Sequence, residues 1–236
     1  MGKRAIDYAR LNDKLKGTDV LERLEAINMA DAKFVELCQK GTAQEVRAAL
    51  DAGANATASG KVTVDIGGRS LEIEATALMA ASFKNSPEVI KILVNTGADV
   101  HAKDKYGMTA LMLAAKYNPN PEVLNGLLKA GADVNAKDNA SMTALMAAAE
   151  NNPNLEIINA LLKAGADVNA KGMNDLTALM RAVRNNSNPE IINILLKAGA
   201  DVHAKDEGGK RAVDYARKNE KLKGTDALKR LEELSK

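Results

Sequence analysis

The chain has 236 residues, a formal net charge of +2 and aromatic residues at only 3% of positions, with no tryptophan. This charge balance argues against bulk attraction to nucleic acid or to a membrane surface. No segment approaches the ~20 apolar residues that a membrane-spanning helix needs. The single cysteine, Cys38, cannot form an internal disulfide and fits a reducing compartment. We therefore expect a cytoplasmic protein with an aliphatic core.

Residues 2–28 are a near copy of residues 209–235, with 19 of 27 positions identical. The second copy closes the chain, which is typical of a terminal cap. We therefore interpret residues 1–28 as an extra helical hairpin that resembles this cap and precedes the rest of the chain. Tandem duplication and engineering both produce such a junction, and both origins stay open.

The segment that follows this hairpin contains no glycine or proline between Thr18 and Lys40, and its apolar residues keep helical spacing. Two alternatives stay open here: one continuous helix that starts at Thr18, or an ordinary break near Asn28. A continuous helix would carry the apolar side chains Ile6 and Tyr8 away from the main stack. They would then need another surface, for which a second molecule is one candidate.

Residues 59–75 have a different pattern, in which apolar and polar residues alternate on both sides of Gly67-Gly68. This pattern predicts a β-hairpin with a two-residue turn. The apolar residues fall on one face, where Val62 is opposite Ile73 and Val64 is opposite Leu71. Two interpretations stay open: this face packs on the molecule's own repeats, or the hairpin is a finger that contacts a partner or a second copy.

Two motifs recur downstream at nearly constant spacing. The motif GAD begins at Gly97, Gly131, Gly165 and Gly199, which are 34 residues apart, and the motif TALM begins at Thr76, Thr109, Thr143 and Thr177. Each unit is predicted to contain a turn, a helix capped by the threonine, a loop rich in Asn and Pro, and a second helix ended by the glycine. Such short helix pairs bury their apolar faces only by stacking on neighbouring units.

With the motifs D-x-x-G-x-T-A-L-M-x-A-A and G-A-D-V-N-A, residues 30–236 resemble the ankyrin repeat family, of a bacterial or an engineered type. The resemblance implies an all-α solenoid of stacked helix-turn-helix units, here with one β-hairpin insertion. We expect an N-terminal repeat at 29–58, the insertion at 59–75, central repeats at 76–205 and a C-terminal cap at 206–236. T-A-L-M replaces the family's T-P-L-H, so a methionine packs where the family has histidine.

The resemblance also implies a concave binding surface, formed by the turn tips and by the exposed face of the first helix of each unit. Basic residues outnumber acidic ones on it, which favours an acidic protein partner. Tyr106, Tyr117 and Phe83 are the expected aromatic anchors. The candidate partner-binding residues are Phe83, Lys84, Lys103, Lys105, Tyr106, Met108, Lys116, Tyr117, Lys137, Met142, Met173 and Arg184.

No sequence motif indicates catalysis, a cofactor or a metal site. Gly208-Gly209-Lys210 lacks the spacing of a phosphate-binding loop. His101 and His203 occupy a turn position that other repeats fill with asparagine, and the helical context of Cys38 indicates a core thiol. We expect a non-catalytic protein-binding scaffold that binds no nucleic acid.

The alternative is a self-assembling structural or engineered repeat protein, in which residues 1–28 or the hairpin join copies of the chain. Candidate self-association residues are Ile6, Tyr8, Val62, Val64, Ile66, Leu71 and Ile73.

Overall fold

A computed structural model describes residues 19–66, 69–186 and 188–236 of the protein. The chain divides into two compact units, Met1–Lys105 and Tyr106–Lys236. The predicted self-association residues Ile6 and Tyr8 lie outside the described residues. None of the helices described here combines the length and the apolar character that crossing a bilayer requires.

The first unit contains four helices and one β-hairpin within its described residues. The elements are α1 (Asp19–Lys40), α2 (Ala43–Asp51), β1 (Ser59–Ile66), β2 (Arg69–Thr76), α3 (Ala77–Lys84) and α4 (Pro87–Asn95). Helix α1 packs against α3 and β1, and α2 packs against α4. The α1–α2 pair therefore serves as the first repeat, and α3–α4 as the second.

Helix α1 is continuous from Asp19 to Lys40, which is the first of the two alternatives that the sequence left open. No residue in this segment interrupts the backbone hydrogen bonds, because glycine and proline are absent until Gly41. Helix α2 begins directly afterwards, with a capping box in which Thr42 and Glu45 bond each other's backbone amides. The hydrogen bonds from Thr42 lower the pKa of the Glu45 carboxyl.

The predicted register of the hairpin is confirmed: Val62 pairs with Ile73, Val64 with Leu71 and Ile66 with Arg69. The exposed face carries an ion pair between Lys61 Nζ and Glu72 Oε1 at 2.7 Å. The pair is diagonal across the two strands, because the residue directly opposite Lys61 is Glu74.

The hairpin packs on its own repeat, because its apolar face is closed by α1. Val62 and Val64 are only 2% and 3% exposed. Strand β1 approaches the helix so closely that a Cβ atom on Gly60 would lie 2.8 Å from the Cα of Ala32. Gln39 Nε2 also donates to the Thr63 carbonyl at 3.0 Å. The assignment of Val62 and Val64 to self-association was therefore wrong.

The other hairpin residues that the sequence assigned to self-association are less fully described. Ile73 is half-buried. The described side chains do not include Ile66 and Leu71, whose strand register alone is given.

The second unit contains eight described helices, which repeat the same pairing. They are α5 (Ala110–Tyr117), α6 (Pro121–Lys129), α7 (Ala144–Asn151), α8 (Leu155–Lys163), α9 (Ala178–Asn185), α10 (Glu190–Lys197), α11 (Ala212–Ala216) and α12 (Asp226–Leu234). The inner helices α5, α7, α9 and α11 pack side by side in that order, and the outer helices α6, α8, α10 and α12 follow in parallel. The cap α11–α12 closes the stack at α9 and α10.

The recurring T-A-L-M motif begins each full repeat of this unit. The Thr109, Thr143 and Thr177 hydroxyls each accept a hydrogen bond at 3.3 Å from the methionine amide three residues later. The methionine side chains themselves are about 1% exposed, as expected for a core position in place of the family's histidine.

Buried asparagines connect successive repeats of the second unit. Asn152 Nδ2 donates to the carbonyls of Ala115 and Asn118 at 3.0 and 3.2 Å. One repeat later, Asn186 donates in the same way to the carbonyls of Ala149 and Asn152. Each acceptor carbonyl lies at or near the end of an inner helix, where backbone acceptors lack helical partners. The sequence by itself indicates only a loop rich in Asn and Pro at these positions.

Cys38 belongs to the core of the first unit and is fully buried. Its burial raises the pKa of the thiol to about 12. The burial confirms the prediction of a core thiol.

Candidate protein-binding surface

Turn tips precede each inner helix of the second unit and form a hydrogen-bonded row. We call residues 106–108, 137–142, 171–176 and 205–210 the first to fourth tips of this unit. The amide of Asn139 donates to the Tyr106 carbonyl, Met173 to Ala140 and Glu207 to Asn174, at 2.9, 2.9 and 3.0 Å. These bonds hold neighbouring tips in a fixed register, so side chains on successive tips form one surface.

Exposed apolar side chains occur on this row at two places. Tyr106 in the first tip and Met173 in the third are each 55% exposed. Met108 and Met142, which precede the capping threonines, are half-buried. The row therefore exposes large side chains that are not buried in the core, and a binding partner can cover them.

Exposed cations also lie on this row. Lys137, Lys171, Lys205 and Lys210 are all exposed. The Lys137 ammonium donates to the Lys171 carbonyl at 3.3 Å, so its charge lies close to the third tip. Lys171 pairs with Asp175 at 2.8 Å.

The C-terminal ends of the inner helices continue the surface beyond the tips. The Lys116 ammonium lies 4.9 Å from the centroid of the half-buried Tyr117 ring. The exposed Arg184 lies 5.0 Å from the Tyr215 ring of the cap. Both are cation–π contacts, which keep a flexible cation in one position.

One charged cluster on this surface was missed by the sequence analysis. Arg181 is only 8% exposed, and its Nη1 donates to Glu150 Oε2 at 2.8 Å. Asn185 Nδ2 donates to the other oxygen, Glu150 Oε1, at 2.7 Å. The Nε of Arg181 is buried without a hydrogen-bond partner. The signal available in the sequence was the position of Arg181, which the two preceding repeats fill with Leu113 and Ala147.

The fourth tip is fastened to the cap by a hydrogen bond from the Tyr215 hydroxyl to Asp206 Oδ2. This bond lowers the pKa of Asp206 and raises the pKa of Tyr215, because the charged carboxylate accepts the phenolic proton and would repel a phenolate. The Lys210 ammonium lies 5.7 Å from the same ring. Two cations, Lys210 and Arg184, therefore lie near the Tyr215 ring.

The remaining predicted site residues belong to the first unit. Lys84, Lys103 and Lys105 are exposed there. Phe83 is only 4% exposed, so its assignment as an accessible anchor was wrong. Its helix α3 packs against α1 and both strands of the hairpin, and these elements shield an apolar ring that other repeats replace by a charged residue.

The histidines and aspartates of the turns have structural partners. The amides of His101 and His203 donate to the carboxylates of Asp99 and Asp201, both at 2.8 Å. These are the turn-stabilising bonds that aspartate forms two residues before a backbone amide. The described residues contain no cluster of three or more His, Cys, Asp or Glu side chains that could hold a metal ion.

The repeated helix pairs, the threonine caps and the tip row find a counterpart among protein families. The model of the family described as ankyrin repeats (3 copies) matches residues 38–138 and 118–206, which together exceed half of the chain. The chain belongs to the ankyrin repeat family. No curated protein shows a significant match to it. Ankyrin repeats are generally protein–protein interaction modules, and proteins built from them are typically non-catalytic binding scaffolds.

Proposed function

We propose that this ankyrin repeat protein binds an acidic surface of a protein partner through the tips and inner-helix ends of its second unit. The observation that carries the proposal is that exposed lysines, Tyr106 and Met173 all lie on the one hydrogen-bonded row of tips. Of the acids on the same surface, Glu150 and Asp175 are already paired with Arg181 and Lys171, whereas Glu207 of the fourth tip is exposed. The two paired acids oppose an acidic partner less than unpaired carboxylates would.

Electrostatic complementarity of this kind acts mainly on the association rate and on the choice of partner. The lysines are exposed, so each contact with a partner carboxylate contributes only about 0.2–1 kcal/mol and weakens with salt. The aromatic and methionine side chains add the apolar contact that exposed charge pairs lack. Binding is therefore expected to decline at high ionic strength without disappearing.

Reversing one charge of the tip row tests the proposal. The probe is a labelled synthetic peptide of glutamate and leucine, with a glutamine and leucine peptide as the neutral comparison. Lys137→Glu is expected to weaken binding of the acidic peptide roughly three- to tenfold, because one attraction becomes a repulsion. Fluorescence anisotropy on the full chain measures this change.

The matched control is Lys129→Glu, which makes the same charge change at an exposed lysine at the end of the outer helix α6. It is expected to leave the affinity within about twofold of the unmodified chain, because an exposed charge away from the binding surface contributes little. Equal losses for the two variants would show a general charge effect. Equal affinity for the acidic and neutral peptides would contradict the proposal.

A second candidate function is self-association through the N-terminal part of the chain. Ile27 and Met29 on α1 are each 59% exposed, although both are large apolar residues. A second copy of the chain could cover them, whereas the buried hairpin face is not available.

Light scattering behind a sizing column tests this candidate over a wide range of protein concentration. If self-association uses α1, the unmodified chain gains mass with concentration and the Ile27→Ser, Met29→Ser double variant remains monomeric. Both side chains are exposed, so the double variant is expected to change the stability of the monomer by less than about 0.5 kcal/mol per site. A concentration-independent monomer mass for the unmodified chain would rule out this candidate.

A further inference from the structure

The third tip of the second unit is built differently from the tips beside it. In the second tip, Asp138 Oδ1 accepts hydrogen bonds from the amides of Ala140 and Met142, both at 2.8 Å. In the fourth tip, Asp206 Oδ1 accepts from the amide of Lys210 at 2.8 Å. The third tip has Gly172 at this position, so it has no carboxylate to organise the turn.

The third tip contains a short 3-10 turn at Met173–Asp175. The amide of Gly172 donates to the Leu176 carbonyl at 3.1 Å, and Asp175 donates to the Gly172 carbonyl at 3.0 Å. An ion pair between Lys171 and Asp175 closes the turn from the outside. The second and fourth tips form the same two backbone bonds around Asp138 and Asp206. The third tip therefore keeps the backbone bonds of its neighbours and lacks only the bonds to an aspartate carboxylate.

The 3-10 turn has two successive non-glycine residues in the left-handed region of backbone conformation. Asn174 has φ 59° and Asp175 has φ 60°. At the position of Asp175, the second tip also has a left-handed non-glycine residue, Ser141 with φ 55°, whereas the turn before α5 has Gly107 and the fourth tip has Gly209. The left-handed Asn174 is therefore the feature that distinguishes the third tip. A side chain makes this conformation unfavourable, which glycine avoids. The third tip thus retains backbone strain that a glycine would remove.

Met173 is the first residue of this turn. Its side chain is 55% exposed. The same position carries Asn139 in the second tip and Glu207 in the fourth, both polar. The position needs no apolar side chain for folding, since polar residues fill it in the neighbouring tips. Lys171 precedes this turn, and the Lys137 ammonium bonds the Lys171 carbonyl.

We propose that the third tip is an anchor loop that recognises an apolar side chain within an acidic segment of the partner. This inference rests on the proposed function and names the partner chemistry of one part of that surface. The flexible, polarizable thioether of Met173 packs against an aliphatic or aromatic partner side chain and shields it from water. Lys137 and Lys171, whose ammonium groups contact the Lys171 carbonyl and Asp175, supply positive charge at this tip and attract the flanking carboxylates.

The experiment compares two acidic peptides, one of glutamate and leucine and one of glutamate and serine, on the full chain. Met173→Ser is expected to weaken binding of the leucine peptide about tenfold, as loss of an apolar anchor does. Its affinity for the serine peptide is expected to change by less than about twofold, because charge contacts alone remain. Asn139→Ser makes a matched change at the same position of the second tip and is expected to leave both affinities unchanged.

A second variant removes the left-handed side chains of the third tip. Asn174→Gly combined with Asp175→Gly leaves Gly172 in place, where a Cβ atom would lie 3.0 Å from Met146 Sδ. It is expected to raise the urea midpoint while weakening binding of the leucine peptide, although Met173 is still present. A lower urea midpoint would contradict the assignment of strain to this tip.

The outcomes separate the anchor loop from the proposed function. If Lys137→Glu weakens binding of the leucine peptide and Met173→Ser does not, the acidic-surface function stands and the anchor loop is rejected. If Met173→Ser weakens binding of both peptides equally, the anchor loop is also rejected, because the loss does not depend on an apolar partner residue. If neither acidic peptide binds better than its glutamine counterpart, the proposed function itself fails.

Discussion

Replacing Val62 by asparagine is expected to lower the free energy of unfolding of the first unit by about 4 kcal/mol. Val62 is 2% exposed on the hairpin face that α1 covers. The substitution removes apolar contact from this interface and buries a polar amide on its apolar face. Urea unfolding followed by circular dichroism measures the loss, and amide hydrogen exchange in β1 localises it.

Thr63→Asn is the matched control, because Thr63 is the next residue and its side chain is exposed on the opposite face. Its bond to Gln39 uses the backbone carbonyl, which the substitution retains. We expect a change within about 0.5 kcal/mol, as for other exposed positions. If Val62→Asn proved as mild as Thr63→Asn, the packing of the hairpin on α1 would be disproved.

Replacing Asn186 by alanine is expected to lower the free energy of unfolding of the second unit by about 2–4 kcal/mol. Asn186 is 5% exposed, and its Nδ2 donates to the carbonyls of Ala149 and Asn152. Its Oδ1 accepts from the amide of Asn188 at 2.9 Å. Alanine removes all three bonds and leaves the buried acceptor Ala149 without this donor. A urea titration of the full chain measures the loss.

The control for this prediction is Asn159→Ala, an asparagine on the exposed side of the outer helix α8. Alanine has the higher helix propensity, so we expect no loss and a gain of a few tenths of a kcal/mol. Comparable losses at Asn186 and Asn159 would show that the buried asparagines add nothing beyond ordinary polar residues.

The hairpin shows which of its features could be predicted from the local sequence and which depend on tertiary contacts. Its register followed from the sequence, because a two-residue turn and a period of two leave one pairing that puts all apolar residues on one face. The surface on which that face packs could not be predicted from the sequence. It depends on α1, which begins 40 residues before β1 and contacts it through Ala32 and Gln39.

The candidate binding surface was likewise predicted only in part from the sequence. The repeat period placed the lysines and Tyr106 at exposed positions, because equivalent positions of stacked repeats have equivalent surroundings. This rule was wrong for Phe83, where the inserted hairpin and α1 change the surroundings of α3. It also missed Arg181, a charge at a position that neighbouring repeats keep apolar.

The sequence by itself determined the repeat architecture, the threonine caps and the register of the hairpin, because each depends on residues close together in the chain or on a fixed period. Only the tertiary structure decided that α1 is continuous, that the hairpin covers it, and that the third tip exposes Met173 on a strained turn. These features depend on contacts between segments far apart in sequence, or on a choice between conformations that local preferences permit. A period of 34 residues gives the position of each repeat. Packing decides how a residue that departs from the repeat pattern, such as Phe83 or Arg181, is accommodated there.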